Sequence, residues 1–177
     1  MFGYIKNILK NRCLKKATVH AKKRKNVAYN FETAKTMGVV YPFDINMGTV
    51  VNVLNDIAKR YNIEIVFLIY FQQERLPEGI GENSASQIFL SDNECNWFGK
   101  PNTVAINSFI NTEFNLFVDL SSKFLFPLQY IAVSSNADFK IGRINDEINS
   151  PYNFVLVGSL DEEQFFKDLE DYLYKIK

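Results

Sequence analysis

No aspartate or glutamate occurs in the first 26 residues, and no histidine follows His20. The first absence exposes a split that the formal net charge of zero conceals. Nine of the 20 basic residues (Lys6, Lys10, Arg12, Lys15, Lys16, Lys22, Lys23, Arg24, Lys25) fall in that stretch, leaving 11 against 20 acids in the rest. The chain is therefore a +9 leader joined to a −9 body. Clustered cations concentrate field, and the acidic body keeps the remaining surface off the same partner, so the leader points to an anionic partner. The second absence excludes a Ser-His or Cys-His catalytic pair in the body, because no imidazole is there to take the proton.

Other scarcities narrow the class further. The two cysteines, Cys13 in the leader and Cys95 in a polar segment, are no disulfide framework, and no Cys or His cluster has metal-ligand spacing. A reducing cytoplasm fits, and neither a metal nor a cofactor is expected. The longest apolar run, Ile63 to Phe71, contains Glu64 and falls well short of the roughly 20 residues that span a bilayer. No apolar segment or small-residue cleavage site follows the cationic start, so a secretory signal is not expected and the leader should stay on the mature protein. Glycine-rich phosphate loops are missing too. The turn Pro42-Phe43-Asp44-Ile45-Asn46-Met47-Gly48 has neither a dinucleotide fingerprint nor a Walker A pattern. Around Gly99-Lys100-Pro101 the earlier Walker glycine is Glu94, and Pro101 replaces the Ser or Thr.

What is present is an alternation of helix and strand signals. In the leader, Met1, Phe2, Ile5, Ile8, Leu9 and Cys13 share one arc of a helical wheel, predicting an amphipathic helix over about Phe2 to Lys16. Lys22 to Lys25 form a basic run with no apolar face. Thr36 to Tyr41 reads as a buried strand closed by Pro42. Met47 to Tyr61 has helical spacing, and Ile63 to Phe71 is a β-branched and aromatic strand run, which together make one βαβ unit. The polar stretch Gln72 to Gln87 reads as a long loop. Strands are then expected at Ile88 to Leu90, Leu116 to Leu120, Phe139 to Gly142 and Phe154 to Val157, with helices at Thr103 to Asn111 and Phe126 to Ser135. Ser159 with Glu162 forms a capping box for a last helix whose core face is Phe165, Leu169, Tyr172, Leu173 and Ile176.

This order predicts an α/β fold: a single Rossmann-like or flavodoxin-like domain, its mostly parallel sheet covered on both faces, preceded by a basic amphipathic N-terminal helix. The division is a leader over 1–34 and an α/β domain over 35–177. The high aromatic content, 16 Phe and 9 Tyr, falls mostly within the apolar runs and reads as core.

In open α/β sheets ligands sit beyond the carboxyl ends of the strands. That rule draws attention to Asn46, Trp97, Lys100, Ser121 and Arg143 as a possible pocket. Three of them also have a plainer reading. Asp44 or Asn46 suits a helix N-cap, Trp97 to Gly99 an aromatic-anchored turn, and Arg143 a surface pair with Asp146 or Glu147. Asp161, Glu162 and Glu163 are better explained as a helix start than as paired catalytic carboxylates, so no catalytic residue is assigned.

The sequence also carries two resemblances. The basic leader, the early βαβ unit, the motif Asn96-Trp97-Phe98-Gly99-Lys100-Pro101, the segment Phe114-Asn115-Leu116-Phe117-Val118-Asp119-Leu120-Ser121 and the segment Phe139-Lys140-Ile141-Gly142-Arg143 follow in the order of an uncharacterised bacterial family of domains of unknown function. That resemblance covers nearly the whole chain and implies a bacterial cytoplasmic protein, without bringing an activity or functional residues. Phe114 to Gly142 also resembles part of the N-terminal domain of heptosyltransferase-type glycosyltransferases, where a strand ending Val-Asp-Leu leads through a helix to a strand ending in Gly. The second resemblance implies a Rossmann-like fold. Those enzymes are similar to a pair of such domains, whereas this chain has room for one, which argues against autonomous sugar transfer.

The resulting expectation is a non-enzymatic protein that binds RNA, ribosomal RNA in the first instance, through its leader. Lys15, Lys16, Lys22, Lys23, Arg24 and Lys25 would contact phosphates. Phe2, Ile5 and Leu9 would pack the helix on its own body or on a protein partner. The alternatives are a small enzyme or ligand-binding protein with its pocket at the strand ends, and a peripheral membrane adaptor whose leader helix lies on an anionic surface.

Overall fold

The computed structural model describes residues 2–20, 27–43, 47–143, 151–156 and 161–175. The run Lys22 to Lys25, the turn carrying Asp44 and Asn46, the pair Asp146 and Glu147, and Ser159 and Ile176 lie outside the described residues.

Six strands form one sheet: β1 (Thr36–Pro42), β2 (Glu64–Phe71), β3 (Gln87–Ser91), β4 (Leu116–Asp119), β5 (Phe139–Gly142) and β6 (Phe154–Val155). Their order is β3-β2-β1-β4-β5-β6 and every neighbouring pair is parallel. That order is the Rossmann one and not the flavodoxin one, and it places the reversal of winding between β1 and β4. The last strand is shorter than its apolar run suggests, with two residues paired to β5.

Period-two alternation explains the layers. Met37, Val39 and Tyr41 of β1 face a core shared with Val50, Leu54 and Ile57 of α2 (Met47–Tyr61). Phe165, Phe166, Leu169 and Leu173 of a C-terminal helix, Glu162–Lys175, complete that core. Val40 faces the opposite core, with α3 (Val104–Asn111) supplying Ile106 and Phe109, and α4 (Phe126–Ser134) supplying Leu128 and Ile131. The C-terminal helix, α5, corrects one expectation: Tyr172 is 47% exposed, its ring beside Phe154, and Phe166 takes the buried place instead. Asn62, at φ 54°, ends α2 in the left-handed region that asparagine tolerates.

Two glycines mark close approaches. A Cβ on Gly38 would lie 2.8 Å from the Phe114 ring, and one on Gly142 would lie 2.5 Å from the Tyr152 ring. Lys140 of β5 is fully buried, and its ammonium donates to the carbonyls of Ala132 and Ser135 at the end of α4. A cation there satisfies otherwise orphaned acceptors and complements the helix dipole.

The leader helix, α1, runs over Phe2–His20 and packs on α4. Its seam differs from the expected arc. Leu14 is 2% exposed against Phe126 and Val133, with Cys13 and Ala17 beside it, whereas Ile5 is 45% exposed. The seam carries Lys10, whose ammonium lies 5.0 Å from the centre of the Phe126 ring. A lysine can lie on a packed face by laying its methylenes and charge along an aromatic surface, so the docking face is not the most hydrophobic arc.

Candidate functional site

A cleft of about 540 Å³ opens at the carboxyl ends of the strands. Lys6 and Lys10 from α1, Trp97 from the loop after β3, and Phe124 from the loop after β4 line it. Tyr70 at the end of β2, and Glu74 and Asp92 just beyond β2 and β3, line it as well. The cleft therefore takes walls from both sides of the point where the winding reverses. The first turn of α4 borders it with Leu125 at the N-cap, a side chain with no oxygen to accept from the helix amides.

The loop carrying Trp97 is built by its own sequence. Asn96 Oδ1 accepts from the amides of Phe98 at 3.2 Å and Lys100 at 2.9 Å, and the Asn96 and Lys100 backbones close the turn at 2.9 Å. Gly99 has φ 95°, which a side chain would strain, and Cys95 bridges to Pro101 at the base. Asn96 and Gly99 thus shape the turn, and the turn leaves Trp97 58% exposed, edge-on to Phe98. Lys100 is not part of the cleft lining, and its ammonium lies 5.1 Å from the centre of the Tyr130 ring.

Charge in the cleft is separated by element. The two cations come from α1 and the two carboxylates from the ends of β2 and β3. Partial burial, then the neighbouring Lys6 charge, lowers the Lys10 pKa. Tyr70 donates to Asp92 Oδ1 at 2.5 Å, and burial, reinforced by that carboxylate, raises the Tyr70 pKa. Burial first, then Asp92 and Glu94, push the Cys95 thiol up to about 12, which disfavours the reactive thiolate.

A second polar group lies deeper. Asp119, 3% exposed at the end of β4, accepts from the Ser121 amide at 2.8 Å and from the Tyr152 hydroxyl at 2.5 Å. Burial raises its pKa against the opposing effect of those bonds. Ser121 Oγ lies near enough to favour the ionised carboxylate, yet it makes no hydrogen bond of good geometry. Ser121 and Asp119 line a cavity of about 10 Å³, room for roughly one water.

Of the five residues suggested by the strand-end rule, the four that are described do not share one site. Trp97 lines the cleft, and Ser121 lines the small cavity. Lys100 lies on Tyr130, Arg143 lies 4.8 Å from the Phe165 ring centre, and Asn46 is outside the described residues. Sequence reasoning missed Lys6, Lys10, Tyr70 and Phe124 as cleft residues. Lys6 and Lys10 were legible only as charge, since their approach to Trp97 depends on how α1 docks.

Fold and cleft together define a Rossmann-ordered α/β domain with a basic N-terminal helix that lines a cleft at the carboxyl edge of its sheet. The chain belongs to the family of unknown function DUF6913, whose family model matches residues 6–176 and so includes α1 from Lys6 onward. No curated protein and no solved structure matches the chain, so the glycosyltransferase resemblance gains no support from them. Among the described residues, no helix is long and apolar enough to cross a membrane, and no cluster of His, Cys, Asp and Glu could hold a metal ion.

Proposed function

We propose that the protein is a non-enzymatic RNA-binding protein, with ribosomal RNA as its partner, and that α1 with the basic run after it binds the phosphates. One observation carries this reading. Leu14 anchors α1 on the body while Arg12, Lys15 and Lys16 stay exposed, presenting cations from a helix whose position is held by packing. A helix turns about 100° per residue, which directs Arg12 and Lys16 almost opposite to Leu14. Phosphate binding of this kind supplies affinity with little sequence preference, and the −9 body restricts it to one side of the molecule.

Deleting the leader would also remove Leu14 from the core, so the test uses charge alone. Glutamine at Arg12, Lys15, Lys16 and Lys22 to Lys25 should leave the fold intact and weaken RNA binding. The log-log salt slope should become shallower by about 0.7 to 0.9 for each phosphate that is no longer neutralised. Recovery of ribosomal particles from lysate by the native chain alone, abolished by nuclease, is the matching result in the cell. Unchanged RNA affinity in the neutralised chain defeats the proposal. Binding to anionic vesicles without RNA binding would favour a membrane adaptor instead.

A further inference from the structure

The strand-end cleft shows a conflict that the domain does not resolve internally. Lys6 and Lys10 lie one helical turn apart on α1 and both face the cleft. Like charges at that spacing destabilise a helix. Among the described residues neither lysine makes an ion pair, and the Lys10 ammonium lies over the face of Phe126. Beside them Trp97 is 58% and Phe124 48% exposed, two aromatic faces open to solvent in the same cleft.

We propose that this cleft binds one nucleoside monophosphate unit, with its base stacked on Trp97, its phosphate between Lys6 and Lys10, and its hydroxyl or amino donors toward Glu74 and Asp92. The occupant follows from complementarity. A planar ring suits the indole, an anion relieves the paired lysines, and hydrogen-bond donors on the same molecule suit the carboxylates. An inorganic anion would leave the aromatics uncovered, and an apolar ligand would leave the lysines unrelieved. The volume of about 540 Å³ lies within the range of small-ligand sites. Its walls come from both sides of the β1/β4 reversal, where sheets of this order take ligands. The phosphate is held here by side chains of a docked helix, since the turn after β1 has no glycine-rich loop.

Two sources share this chemistry: a free mononucleotide, or an unstacked residue of a single-stranded RNA. In its RNA form the inference rests on the RNA-binding reading above.

Trp97 is the only tryptophan in the chain, so its fluorescence reports on the cleft directly. The full chain is titrated with adenosine 5′-monophosphate, adenosine, inorganic phosphate, a single-stranded oligoadenylate and an RNA duplex. Saturable quenching by the monophosphate is expected, with adenosine weaker by about tenfold and phosphate alone causing none. Lys6→Glu, at an exposed position, should weaken the monophosphate by about tenfold or more, while Lys59→Gln, exposed on α2 and outside the cleft lining, leaves it unchanged. Trp97→Ala, followed by calorimetry, should lose about five- to a hundredfold. Tighter binding of the oligoadenylate than of the monophosphate assigns the site to RNA. Equal or weaker binding assigns it to the free nucleotide. No saturable quenching by either, or quenching that survives Lys6→Glu in a folded protein, overturns the proposal. Loss of RNA affinity on neutralising Lys15 and Lys16 with a silent cleft would refute this inference alone, and the converse pattern would refute the RNA reading alone.

Discussion

The hydroxyl of Tyr152 donates to Asp119 Oδ2 at 2.5 Å, across an approach that only a glycine at position 142 permits. A tyrosine near the last strand thereby holds the buried carboxylate at the end of β4. The ring lies flat enough on Gly142 that a methyl there would occupy the same space.

Gly142→Ala should therefore cost about 1–3 kcal/mol, the usual range for overpacking. Tyr152→Phe should cost about 1–3 kcal/mol, because it removes a donor from a buried carboxylate. The two changes act on one packed pair, so the double variant should cost less than the sum in urea denaturation. Full additivity would show that the Tyr152 ring moves independently of its hydroxyl.

Asp119 should also leave a signature in the pH dependence of stability. Burial raises its pKa in the folded state, so the native protein binds more protons there than the unfolded chain does. Its penalty is absent below the unfolded pKa, grows as pH rises through the folded pKa, and is full above it. Relative to Asp119→Asn, the native chain should gain Tm as pH is lowered through that window. A difference in Tm that stays constant with pH would contradict this.

Lys140→Met should destabilise by about 1–3 kcal/mol, since two carbonyls at the end of α4 lose their donor. Lys140→Arg should not restore stability, because the site is fully buried and the guanidinium is larger. Chemical denaturation of both variants checks the pair.

Leu14→Ala should loosen α1 at a cost of about 2–4 kcal/mol. Hydrogen exchange should show faster exchange in α1 with the sheet amides protected as before. Lys15→Gln should change neither, which separates docking from charge on the same helix.

Cys95 should alkylate slowly near neutral pH, its thiol being held at about 12. Cys13 is also raised, by burial against the opposing charges of Lys100 and Lys16, and should react more slowly than free cysteine. Iodoacetamide rates for Cys13→Ser and Cys95→Ser, one thiol at a time, test both.

The elements were largely legible in order along the chain, because apolar period is local. The spacing from Val50 to Ala58 makes α2 whatever surrounds it, and the run after Ile63 makes β2. Composition likewise determined the split between a cationic leader and an acidic body, the lack of an imidazole in the body and the absence of a glycine-rich phosphate loop. Only the tertiary structure decided which strands became neighbours, since pairing β1 with both β2 and β4 depends on which crossovers pack. It also decided the leader's seam. Burial of Leu14 and the resting place of Lys10 on Phe126 come from the shape of α4, which no periodicity within residues 2–20 contains. The cleft follows from that docking: Lys6 and Trp97 are separated by most of the chain's first hundred residues and meet only because a helix and a sheet edge pack together.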